Sequence, residues 1–196
     1  MLHRENIMKE RFLAELRRTV QREGVENLVS YLEKSDFFTA PASTKFHAAY
    51  EGGLAEHSFN VYLRLKDLVA KEGLSYSEET LAVCGLLHDL CKANTYKIEL
   101  RNVKENGEWV KKPYYAVEEQ FPYGHGEKSV FILQNYIRLS AEEALAINWH
   151  MGGFDQRVKG GSYSISAVYQ KSPLAVLLHV ADILATYIDE ERGETL

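Results

Sequence analysis

The chain has 196 residues, 45% of them hydrophobic and 26% charged, enough to bury a core and read as one domain spanning residues 1–196. Its net charge of −5 excludes coating of nucleic acid by a general basic surface but leaves room for a local basic patch. No apolar run reaches about 18 residues, and Met1 to Arg22 carries charges of both signs, so neither a membrane span nor a signal peptide is expected. Cys84 and Cys91 sit seven apart in one predicted helix, about 10 Å along its axis, too far for a disulfide. Both read as buried thiols of a cytoplasmic protein. These numbers are compatible with an oligomer and do not specify one.

Two short amphipathic helices are expected over Glu5–Arg22 and Val25–Lys34, parted at Gly24. Ser35 to Tyr50 reads as irregular, with Pro41 and the aromatic pair Phe37 and Phe38. Gly52-Gly53 opens a helix to about Lys71, and its apolar stripe Leu54, Val61, Leu65 and Leu68 includes His57. Ser75 with Glu78 resembles a capping box for a helix over Ser77–Ala93. There Leu81, Cys84, His88 and Cys91 form the inner face, and Asp89 lies about 100° further round.

From Tyr96 the period changes. Tyr96–Lys104 and Trp109–Val117 flank Asn106-Gly107, a strong hairpin signal, so a two-stranded arm over 96–118 is expected between helices. A helix follows over Glu127–Leu139. Ser140 and Glu143 form a capping box for another that ends at His150. Ser172-Pro173 starts the last helix, Leu174 to about Glu190, apolar nearly all round with Asp182 in its middle. Inward histidines on two helices and a buried acid in a third are costly unless they bind metal or one another.

These residues carry a resemblance. Gly-Leu-Ala-Glu-His (53–57), Leu-Leu-His-Asp-Leu-Cys-Lys (86–92), Gly-His-Gly-Glu-Lys-Ser (124–129), Ile-Asn-Trp-His (147–150) and His-Val-Ala-Asp (179–182) together resemble the HD-domain metal-dependent phosphohydrolases, over roughly residues 45–190. The five-histidine branch is the most similar. It includes HD-GYP phosphodiesterases and the HD domains of some bacterial 3′-to-5′ exoribonucleases. The Gly-Tyr-Pro signature is absent, which argues against cyclic dinucleotides, and Cys91 stands where members often carry glycine. The resemblance implies an all-α HD helical bundle, N-terminal helices over 1–35 and the hairpin as an insertion.

It also implies a site. His57, His88 and Asp182 would hold one ion with one oxygen of Asp89. The other oxygen, with His125 and His150, would hold a second. The implied cofactor is a divalent transition metal, two ions in this branch; the donors do not choose among iron, manganese, nickel and zinc, and magnesium is also compatible. The implied reaction is hydrolysis of a phosphomonoester or phosphodiester, of a nucleotide or short oligonucleotide, by a metal-bridged hydroxide. Asp89 and Lys92 are the expected catalytic residues, Lys92 by stabilising negative charge. Lys97, Arg101 and His47 are the expected substrate contacts, although a solvated hairpin explains the first two equally simply. His179 suits either a supporting or a packing role, and His3 reads as exposed. Two other functions fit the same ligands: a di-iron HD-type oxygenase and a non-catalytic nucleotide-binding module.

Overall fold

The computed structural model describes residues 2–190, with side chains from Asn6 onward, so the expectation for the His3 side chain lies outside what is described. In chain order the elements are α1 (Leu2–Thr19), α2 (Val25–Lys34), α3 (Gly53–Lys71), α4 (Glu78–Leu87), β1 (Tyr96–Glu105), β2 (Glu108–Val117), α5 (His125–Gln134), α6 (Ala141–Trp149), α7 (Gln156–Lys159), α8 (Ser164–Lys171) and α9 (Pro173–Leu184). The fold is a helical domain with a small inserted two-stranded hairpin. No single helix among the described residues is long and apolar enough to cross a membrane.

Several boundaries differ from expectation, each for a local reason. The cap of α4 is Ser77, not Ser75: Ser77 is the extended residue directly before the helix, and its side chain accepts from the Thr80 N–H. The helix stops at Leu87 rather than Ala93. Asp89 leaves helical geometry (φ −99°, ψ 19°), and Leu90–Lys92 forms one 3-10 turn. The expected helix over Glu127–Leu139 begins earlier, at His125, and ends at Gln134. Between α6 and α9, where no helix is expected, the chain forms α7 and α8. The last helix ends at Leu184 and passes into a π-type turn, Ala185–Asp189. The capping box at Ser140 and Glu143 and the N1 proline at 173 are as expected.

The hairpin pairs Tyr96 with Val117 through to Glu105 with Glu108, antiparallel throughout. Asn106 (φ 50°) and Gly107 (φ 92°) both take left-handed geometry, the two-residue turn whose twist matches the strands.

Two close approaches set the frame of the helices. α3 packs on α4 and α9, and α6 packs on α5 and α9. A Cβ at Gly85 would sit 2.5 Å from Tyr62 Cα, so α4 meets α3 at the one residue that lets their backbones approach. Gly126 does the same for α5 against α6, where a Cβ would lie 2.2 Å from the Asn148 carbonyl oxygen. Phe37 and Phe38 anchor the irregular stretch, edge-on to Phe12 at 5.3 and 5.5 Å.

A buried polar network joins the N-terminal helices to the rest. Glu143 is fully buried in α6 and accepts from Arg22 through both oxygens (2.7 and 2.6 Å). Thr80 Oγ1 (2.9 Å) and the Ser140 N–H (2.8 Å) donate to the same carboxylate. One side chain thus ties the α1–α2 connection to α4 and to the start of α6.

Candidate metal centre

Each ligand candidate sits where an element ends or where two elements press together. His57 projects from the first turns of α3. His88 is the C-cap of α4 and His150 the C-cap of α6. His125 is the first residue of α5, and Asp182 lies in α9. The two capping histidines share a device: each ring satisfies a carbonyl three residues earlier at its helix end, His88 Nδ1 to Gly85 O (2.9 Å) and His150 Nδ1 to Ile147 O (2.7 Å). A carbonyl only accepts, so Nδ1 carries the proton and Nε2 keeps its lone pair.

His57 is held likewise. Its Nδ1 lies 2.9 Å from Glu190 Oε1, and Asn60 Nδ2 donates to the same oxygen (3.3 Å). The Nε2 atoms of His57, His88 and His150 are all buried with no hydrogen-bond partner among the described residues. Buried ring nitrogens without a partner are costly, and three gathered about one carboxylate fit a bound cation.

That carboxylate is Asp89, 2% exposed. Its Oδ2 lies 3.5 Å from His57 Nε2 and 3.5 Å from His88 Nε2. Its Oδ1 lies 2.8 Å from His125 Nε2 and 3.4 Å from His150 Nε2. Asp182 Oδ1 stands 3.3 Å from His57 Nε2, on the Oδ2 side. Among the described residues, four groups of donors lie close enough to hold a metal: His57, His88 and Asp182; His88, Asp89 and His150; Asp89, Cys91 and His125; and His47, His57 and Glu190.

The electrostatics follow from burial among these charges. Burial takes the His88 ring down to about 3. It acts on His57 in the same direction, yet the neighbouring carboxylates of Asp182, Asp89 and Glu190 outweigh it and hold that ring well above its usual value. Burial is also overcome at His125, where Cys91 and Asp89 raise it to about 10. Asp89 would be pushed up by burial, but Lys92 and His88 keep it well below the carboxylate range. Metal binding at such a site displaces protons.

Of the other predicted residues, Lys92 enters the centre: its Nζ lies 2.6 Å from Asp89 Oδ2. His47 packs its ring 4.9 Å from that of His57, and burial lowers it to about 4, so it is neutral near pH 7. His179 donates from Nδ1 to the His150 carbonyl (2.7 Å) and so supports that ligand's backbone. Lys97 pairs with Glu99 (3.0 Å) and Glu118 (2.8 Å) on the hairpin. Arg101 lies over the Tyr114 ring at 5.3 Å. The structure does not bring Lys97 or Arg101 to the ligand cluster.

A cavity of about 410 Å³ opens on the His125 side of the centre. Tyr96, Tyr123 and Phe154 line it together with Lys92, Lys128 and Arg157. Lys128 pairs with Glu119 (2.7 Å), and Arg157 with Asp155 (2.7 Å) and Glu127. Sequence reasoning missed Lys128, Arg157 and Glu190. Glu190 stands in the run Asp189-Glu190-Glu191-Arg192, which reads as a solvated charged end.

Among known protein families, the model described as HD domain matches residues 54–187, from the start of α3 into the turn after α9. The chain therefore belongs to the HD family, whose members are in general metal-dependent hydrolases. No curated protein and no solved structure matches it.

Proposed function

We propose that the protein is a two-ion phosphohydrolase of the five-histidine type that acts on a nucleoside monophosphate or a compact phosphomonoester of similar shape. The observation that carries the reading is the division of four histidine Nε2 atoms, three of them without a hydrogen-bond partner, between the two oxygens of Asp89. His57, His88 and Asp182 would hold one ion with Oδ2, and His125 and His150 the other with Oδ1. Bound divalent ions supply Lewis acidity toward phosphoryl oxygens and lower the pKa of coordinated water. Lys92 contributes a fixed positive charge beside Asp89, where negative charge develops on the phosphoryl group.

The cavity supports the substrate class. Its volume suits one nucleoside-sized group, and its aromatic side chains offer a face for a ring to stack on. Lys128 and Arg157 are already paired with Glu119, Asp155 and Glu127, so the wall has little net positive charge for a second phosphate. Monophosphates are therefore favoured over triphosphates and oligonucleotides.

A turnover screen with Mn²⁺, Zn²⁺, Ni²⁺, Fe²⁺ or Mg²⁺ tests this. Phosphate release from nucleoside monophosphates should appear with at least one of these ions and vanish with chelator. Dioxygen-dependent turnover with iron, and none of phosphoesters, would replace the hydrolase by an oxygenase. Tight nucleotide binding without turnover would replace it by a sensing module.

The same screen separates two recognition surfaces. If the cavity recognises the substrate, Lys97→Ala with Arg101→Ala leaves KM unchanged. A rise of roughly tenfold or more, the effect of a lost charge-assisted contact, would place recognition on the hairpin.

A further inference from the structure

Cys91 stands against the His125 side of Asp89 and has no part in the mechanism above. The residue is 3% exposed, and Sγ lies 3.4 Å from His125 Nδ1 and 3.6 Å from His125 Nε2. Donor atoms of Asp89, Cys91 and His125 lie within 4.8 Å of one another. The backbone holds the thiol there: the Cys91 N–H donates to Ser129 Oγ (3.0 Å), and its carbonyl accepts from Thr95 Oγ1 (2.9 Å). A further donor approaches the same oxygen of Asp89. His150 Nε2, fully buried and unpartnered, is 3.4 Å from Asp89 Oδ1.

A tetrahedral ion sets the separations that its ligands would take. Zinc–nitrogen and zinc–sulfur bonds of about 2.05 and 2.3 Å give nitrogen–sulfur edges of about 3.6 Å and nitrogen–oxygen edges of about 3.3 Å. The His150–Asp89 distance of 3.4 Å already matches, whereas Sγ lies as near to His125 Nδ1 (3.4 Å) as to Nε2 (3.6 Å), so the His125 ring has to turn its Nε2 toward a shared ion. The His125–Asp89 distance of 2.8 Å is a hydrogen-bond length and has to open by about 0.5 Å.

The geometry points to Cys91 as a thiolate ligand of the ion held by Asp89, His125 and His150, which makes that position selective for a thiophilic divalent ion such as Zn²⁺ or Fe²⁺ over Mn²⁺ or Mg²⁺. The assignment rests on the two-ion reading. On binding, the S–H bond breaks, a sulfur–metal bond forms and the proton leaves to solvent through the cavity that Cys91 lines. No change of oxidation state is involved. Cys84, buried in α4, joins none of the donor groups.

Cobalt substitution reads this ligand directly, because a thiolate on Co²⁺ gives a near-ultraviolet charge-transfer band that imidazole and carboxylate do not. The parent and Cys84→Ser should show the band when fully loaded, and Cys91→Ser should lose it. The Zn²⁺ Kd of the weaker site in Cys91→Ser should rise by at least about tenfold, with Mn²⁺ binding unchanged. X-ray absorption of the Zn²⁺-loaded parent needs no variant and should find a sulfur scatterer at about 2.3 Å. Two ions bound without the band or the sulfur overturn the Cys91 assignment and leave the two-ion reading standing. Failure to bind stoichiometric metal at all overturns both.

Discussion

Replacing Asp89 with asparagine is expected to lower kcat/KM for a phosphomonoester by at least about a thousandfold, or roughly 4 kcal/mol of transition-state stabilisation. Asparagine keeps the volume of the buried side chain but removes the charge that faces four histidines and Lys92. One substitution should therefore weaken both ions at once. His150→Ala removes a donor from the Oδ1 side only, so it should retain the first ion and measurable activity. Kinetics and metal content of the two variants, measured side by side, give the comparison. Full activity in His150→Ala with a single bound ion would replace the two-ion mechanism by a one-ion hydrolase.

The second large effect concerns stability. Glu143→Ala should destabilise the fold by about 3–5 kcal/mol, because it leaves the Arg22 guanidinium without its buried partner. At roughly 2–4 °C per kcal/mol, a fall in Tm of about 10 °C is expected. Burial would raise the Glu143 pKa, but the hydrogen bonds from Arg22 and the Ser140 N–H leave it lowered. A lowered folded pKa means that the contribution is complete above the unfolded value of about 4.3. It is lost as pH falls from there through the folded value. Melting curves of parent and Glu143→Gln should therefore converge toward acid pH. A difference that stays constant across that range would place the effect in packing alone.

Much of this was legible in the sequence where the signal is local and periodic. His57 falls on an apolar stripe, Asp182 lies inside an apolar helix, and Asn106-Gly107 dictates a hairpin whatever surrounds it. The capping pair Ser140 and Glu143 is equally local, but its second use as the anchor for Arg22 is not. The helix ends at His88 and His150 depend on imidazoles turning back onto carbonyls, which the hydrophobic pattern does not record. Glu190 reaches His57 across 133 positions, after a π-type turn that no spacing rule anticipates. Cys91 reads correctly as a buried thiol, but only the approach of α5 puts His125 against it. Lys128 and Arg157 likewise become cavity residues only through packing.

In the proposed mechanism Asp89 is shared between two ions. Anomalous diffraction from crystals of the metal-loaded protein measures this most directly. The expected result is two peaks about 3.5–4 Å apart, one on each side of the Asp89 carboxylate. The peak beside Oδ2 should lie within bonding distance of His57, His88 and Asp182, and the other within reach of His125 and His150. A single peak, or two that do not share Asp89, would contradict the account.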